Sequence, residues 1–131
     1  MRQRRALATF AAFALAGMLG ASPLAAQGPA TDGKPYDVKL LRLAEILGAV
    51  HYLRELCGAN EGQIWRNRMQ ELIESEGAAA QRRARLSTRF NNGYRSYSRT
   101  YQTCTPSAQT AIVRFLAEGA KLSDELAATS Q

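Results

Sequence analysis

The stretch FNNGYRSYSRTYQTC, residues 90–104, decides the architecture. Taken alone, Asn91-Asn92-Gly93 is a strong turn signal that would split the segment in two. Helical spacing argues the other way. Leu86, Phe90, Tyr94, Tyr97, Tyr101 and Cys104 fall within about 80° of one another at helical angles, as one continuous apolar face. The two readings send Cys104 to opposite ends of the molecule, so the pairing state of Cys104 chooses between them.

The N-terminus bears on that choice. Arg2, Arg4 and Arg5 form a positive region, residues 6–21 carry no charge, and Pro23 breaks the run. Leu24-Ala25-Ala26 then places small residues ahead of Gln27, the pattern of a secretory signal peptide over 1–26 cleaved between Ala26 and Gln27. The apolar run is shorter than the ~20 residues that span a bilayer, so no membrane span is expected after cleavage. Retention as an anchor is the alternative. Export places Cys57 and Cys104, the two cysteines of the chain, in an oxidising compartment, where a disulfide is the default. Two buried free thiols are the competing reading. In an up-down bundle the C-terminal ends of the first and third helices share a pole. Cys57 and Cys104 can then approach within the ~7 Å between Cα atoms that a bond requires, provided the third helix is unbroken.

Working outward, residues 27–36 (QGPATDGKPY) read as a flexible linker. Asp37 is the expected N-cap of a first amphipathic helix over 38–57, with Leu40, Leu43, Ala44, Leu47, Val50 and Cys57 inward. Asn60 is the expected cap of a second helix reaching Glu76, with Ile64, Trp65, Met69, Leu72 and Ile73 inward. The third helix follows Gly77. Thr105 and Pro106 supply a cap and first-position proline for a fourth, 106–127, leaving 128–131 frayed. The fold class expected is all-α: an up-down four-helix bundle over 37–127 with one disulfide.

The 131 residues suffice for one small domain. One His and two Cys argue against zinc modules and His-based metal sites, and no phosphate loop or nucleophile elbow is present, so no cofactor and no metal are expected. The chain downstream of the signal holds fourteen basic and eleven acidic residues, net +3. The distribution is lopsided. From Gly77 to Ala117 there is no Asp or Glu, while Arg82, Arg83, Arg85, Arg89, Arg95, Arg99 and Arg114 all lie in that interval.

HYLRELCG (51–58), Trp65-Arg66 with Met69, FNNGYRSYSRTYQTCTPSA (90–108) and RFLAEG (114–119) resemble a small uncharacterised family of exported proteobacterial proteins with two well-separated cysteines. The resemblance covers nearly all of the mature chain and implies a signal peptide, a periplasmic location and a disulfide. It implies no activity, the family being a domain of unknown function.

Two surfaces are candidates for function. Arg82, Arg85, Arg89, Arg95 and Arg99 lie opposite the aromatic stripe and are expected to face solvent, without acidic neighbours on their own helix. Such a face suits an anionic envelope partner: lipid head groups, a glycan or an acidic protein, with nucleic acid disfavoured by export. Pairing with Glu71, Glu74 or Glu76 is the plainer alternative. At the disulfide pole, Tyr97 is expected level with His51 and Tyr101 level with Arg54, with Trp65 entering from the start of the second helix, and the five form either a satisfied polar cap or a pocket for a small anionic or sugar-like ligand. His51 with Glu55 is the thin basis for a cell-wall enzyme, and no catalytic residue is assigned. The expectation is a periplasmic, non-enzymatic envelope interaction or adaptor protein, with a small-ligand carrier as the alternative.

Overall fold

The computed structural model describes residues 33–77 and 79–129. The expected signal peptide, its cleavage site and residues 27–32 of the linker lie outside the described residues. Four helices follow in order: α1 (Asp37–Leu56), α2 (Ile64–Glu76), α3 (Ala80–Thr100) and α4 (Pro106–Thr129). Among the described residues there is no strand. The protein is an all-α four-helix bundle.

Ion pairs give the directions. Asp37 meets Arg82 and Glu45 meets Arg89, so α1 and α3 run parallel. Arg42 meets Glu118 and Lys39 meets Glu125, so α4 runs antiparallel to α1. Tyr36 donates to Glu76, at the far end of α2, which makes α2 antiparallel as well. The topology is up-down-up-down.

Helix α1 is the centre of the bundle, in contact with α2, α3 and α4. Its buried positions include the consecutive run Gly48, Ala49, Val50 and His51, which covers every direction around a helix. A turn buried on every side belongs in a core, not on a surface. The single inward arc expected for α1 is therefore too narrow. Leu40 and Ala44 join Met69, Leu86 and Phe90 in one cluster toward α2 and α3, while Ile46, Ala49, Val50 and Leu53 join Ala108, Ala111, Ile112 and Phe115 toward α4.

The crossing of α1 and α3 explains the Asn-Asn-Gly signal. A Cβ on Gly48 would stand 1.9 Å from the Phe90 carbonyl oxygen, and one on Gly93 would stand 2.0 Å from the Glu45 carbonyl oxygen. The two backbones touch through reciprocal glycines, a separation no side chain permits. Gly93 is a contact point inside a continuous helix, and α3 passes through it unbroken.

Several boundaries differ from expectation for local reasons. Asp37 is the first helical residue and not a cap: its carboxylate accepts the Lys34 N–H at 3.0 Å and pairs with Arg82. Asn60 does not cap α2. It adopts φ 49° in a loop flanked by Gly58 and Gly62, also at positive φ, and the helix starts at Ile64, which is 49% exposed instead of inward. Helix α3 stops at Thr100, because Tyr101 turns to φ −119°, ψ 120°. Cys104 thus lies beyond the helix, and its bond to Cys57, with Cα atoms 4.9 Å apart, joins the segment after α3 to the end of α1. Thr105 caps α4 as expected, its Oγ1 accepting the Ala108 N–H at 3.1 Å. Helix α4 continues to Thr129, two residues past the expected end.

Candidate functional site

The arginines of α3 divide by angle around the helix. Arg82 sits next to the face carrying Leu86 and Gly93, so it follows them into the seam against α1. Only 6% exposed, it places Nη1 2.6 Å from Asp37 Oδ1 and Nη2 3.3 Å from Glu76 Oε2. The Tyr36 ring lies 5.8 Å from its guanidinium, and the Tyr36 hydroxyl donates to the same Glu76 carboxylate at 3.0 Å. A buried charge needs such compensation. Arg82 is therefore a structural residue and drops out of the expected docking face.

The other four remain around the outside. Arg85 is half-buried at the edge of the α1–α3 seam beside Leu41. Arg89 is half exposed, with Nη1 3.9 Å from Glu45 Oε2. Arg95 and Arg99 are exposed, and among the described residues neither has an ion-pair partner within 4.0 Å. The glutamates of α2 are engaged elsewhere: Glu71 with Arg68 at 3.0 Å, Glu74 with Gln70 at 3.1 Å, and Glu76 with Arg82. From Arg85 to Arg99 the ridge runs about 21 Å, fourteen residues at 1.5 Å each. Thr88, Asn92 and Ser96, all exposed, lie between the arginines; α3 itself contributes no acidic side chain, and Glu45 of α1 meets the ridge at Arg89.

At the disulfide pole the side chains are turned to different neighbours. Arg54 donates through both Nε and Nη2 to Glu61, and the Trp65 indole N–H donates to the same carboxylate at 2.5 Å. Hydrogen bonds from Arg54 and then Trp65 hold the Glu61 carboxyl below its usual range, against the opposing effect of burial. Tyr97 lies on the other side. It stacks on Tyr101 with centroids 6.2 Å apart and meets Phe115 edge-on at 5.1 Å. The Tyr101 hydroxyl shares a hydrogen bond with Ser107 at 3.0 Å, and its carbonyl accepts the Tyr52 hydroxyl at 2.5 Å. His51 turns instead to α3, 6.0 Å from Phe90 and 5.7 Å from Tyr94. The five residues thus form one polar pairing through Glu61, one aromatic stack and a buried imidazole, and His51, Arg54 and Tyr97 do not converge on a common space. Tyr52 falls outside the inward arc drawn for α1, and its bond to the Tyr101 carbonyl had no signal in the residue spacing.

His51 is 4% exposed. Burial, and then the nearby Arg66 charge, push its pKa below the ordinary 6.5, with Glu55 opposing. The unfolded chain takes up this proton first as pH falls, so stability should decline as pH drops through about 6.5. Carboxylates with lowered pKa, Glu61, Glu118 and Glu125, act in the same direction once pH falls below about 5.5, where unfolded carboxyls begin to protonate. Urea midpoints between about pH 7.5 and pH 5.5 should therefore slope downward in the wild type and stay flat in His51→Leu. A wild-type midpoint independent of pH over that interval would remove the buried neutral imidazole.

A second feature was missed in the sequence. No Cα of α2 comes within 8 Å of one of α4, and a groove opens between the two helices with α1 as its floor. Gly119, Ala120 and Ser123, small residues on one side of α4, are the signal that marks it. Among the described residues no group of three or more His, Cys, Asp or Glu side chains is placed to hold a metal ion, and no helix is long and apolar enough to cross a membrane.

Residues 35–129 match the family model described as "Protein of unknown function (DUF2385)". The chain belongs to this family. The matched segment holds all four helices, both cysteines and both crossing glycines, so the DUF2385 domain is the whole bundle. No curated protein and no solved structure matches this DUF2385 chain.

Proposed function

We propose that this protein is exported and acts by binding, docking an anionic component of the cell envelope through the outer face of α3. The observation that carries the reading is that Arg85, Arg95 and Arg99 on one side of α3 have no ion-pair partner within 4.0 Å among the described residues, while the nearby glutamates are already partnered, Glu45 by Arg42 and Arg89. Unneutralised guanidinium groups on one face recognise phosphate or carboxylate and steer an anionic partner. The disulfide supports an oxidising location. A carrier of a small ligand at the disulfide pole is less well supported, since Glu61 already neutralises Arg54 and occupies Trp65.

The test uses two variants of opposite expectation. Arg85→Gln/Arg95→Gln/Arg99→Gln should leave the melting temperature nearly unchanged, because among the described residues none of the three has an ion pair to lose, and even a surface pair contributes only about 0–1 kcal/mol. It should abolish salt-sensitive binding to vesicles containing anionic phospholipid. Arg82→Gln should do the reverse, lowering stability by about 2 kcal/mol by breaking a buried pair whose carboxylates can partly rehydrate, with vesicle binding retained. A triple variant that binds like the wild type would overturn the docking face. Export is checked by intact mass: periplasmic protein should begin at Gln27 and contain no alkylatable thiol. Recovery of the full-length chain with two free thiols would refute it.

A further inference from the structure

The groove between α2 and α4 is a separate site from the arginine ridge. Its deep part, about 290 Å³, has Leu47 as the accessible floor above the buried Leu43, Ile46 and Val50, with Trp65 on one side and α4 on the other. On the α4 side Ala120 and Ser123 present only small side chains, and Gly119 lies close against Ile46. The one hydroxyl there, Ser123 Oγ, is spent on the Gly119 carbonyl at 2.9 Å, so the deep part asks for no polar partner. Toward solvent the groove continues into about 530 Å³ lined also by Arg68, Glu71 and Ser75. Polar groups thus stand only at the mouth, and the Arg68–Glu71 pair at 3.0 Å makes that mouth neutral.

Size selects the occupant. From Trp65 to Ser75 the groove follows ten residues of α2, about 15 Å at 1.5 Å per residue. The two sections, which share Leu43, Leu47, Trp65 and Ser123, lie in the range of small-molecule sites between helices of bundles. A long, narrow, apolar floor with hydration only at one edge fits an extended hydrocarbon. We propose that this groove binds the unbranched aliphatic chain of a single-chain amphiphile, with its head group at the Arg68–Ser75 mouth.

Trp65 is the single tryptophan of the chain and forms the groove wall, so its emission reads occupancy directly. Titrating the purified, oxidised protein with dodecanoate below its micelle concentration should shift Trp65 emission saturably to the blue and raise the melting temperature. Dodecyl maltoside, with the same chain and an uncharged head, should do the same, and butanoate should do neither. Ala120→Leu, at an exposed position, should leave the unliganded fold and melting temperature intact while weakening both dodecyl ligands at least tenfold; Ser123→Leu should repeat the result. A flat titration overturns the proposal. So does undiminished affinity in both variants, which would put the chain elsewhere. Binding of dodecanoate alone would show carboxylate recognition instead of chain recognition. An emission shift that follows protein concentration without ligand would put a second copy in the groove. Arginine-ridge variants are expected to bind both dodecyl ligands normally, so loss of the docking face and loss of this site are distinguishable.

Discussion

Cys57→Ser should lower stability by about 4 kcal/mol, the chain-entropy contribution of a bridge closing a loop of this length. The separation is 47 residues, and the closed loop contains all of α2 and α3. The bond holds the ends of two parallel helices at one pole. Without it, the segment after Tyr101 keeps mainly the Tyr52 hydroxyl bond to the Tyr101 carbonyl and the Tyr101–Ser107 contact as anchors. Cys104→Ser should cost nearly as much. The small excess at Cys57 comes from packing, since Cys57 rests on the core cluster while Cys104 is exposed. The double variant should cost little more than either, because each single change removes the same bond. Urea unfolding of the three variants and of the reduced wild type checks this. Additive losses would mean that the two cysteines stabilise independently.

Gly93→Ala should destabilise by about 3 kcal/mol, at the upper end of overpacking costs. The sign is diagnostic. Helix propensity alone favours alanine over glycine inside a helix by about 1 kcal/mol. Here the new methyl would stand 2.0 Å from the Glu45 carbonyl oxygen, a backbone atom that moves only if the whole of α1 moves. Parting the helices would loosen the packing of Leu86 and Phe90 against Leu40 and Ala44. Gly48→Ala meets the Phe90 carbonyl at 1.9 Å and should behave alike. The double variant should fall short of additivity, because one separation relieves both overlaps. Gly119→Ala is the control: its methyl would lie 3.4 Å from Ile46 Cγ2, so the propensity gain should roughly cancel the crowding. In thermal melts, 3 kcal/mol corresponds to a fall of roughly 12–24 °C for a domain of this size. An unchanged or raised melting temperature for Gly93→Ala would refute the close crossing.

How much of the molecule was legible depends on which interactions are local. Helix existence follows from spacing within a few turns, and Pro106 with Thr105 marks the start of α4 without tertiary help. The tyrosine stripe placed the α3 face correctly through Tyr97 and its contact with Phe115. Helix starts were less legible, because Asp37 and Asn60 have the composition of caps but are used otherwise. Asp37 is recruited by Arg82, forty-five residues away, and Asn60 by a left-handed loop. The arginine face was read by helical angle alone, which separates Arg95 and Arg99 from the core but not Arg82. That residue sits at the boundary, and whether a boundary charge is solvated or buried depends on what the neighbouring helices bring to it. The pole residues were level in height, as helical rise predicts. Height does not include direction, and His51, Arg54 and Tyr97 turned to three different partners.

Four helices, their order and polarity, and the pairing of Cys57 with Cys104 follow from the residues alone. Periodicity and two cysteines behind a signal-peptide pattern carry those expectations, with Thr105 and Pro106 marking the last helix. Other features emerge only when the helices pack: α1 takes the central place, Gly93 becomes a contact instead of a turn, Arg82 is buried, and α2 and α4 stand apart over a groove. Each depends on the distance between helices, and that distance is set by which backbones can touch. Where Gly48 faces Gly93 no side chain intervenes, and α3 closes onto α1; no such pair joins α2 to α4, and the floor between them stays open.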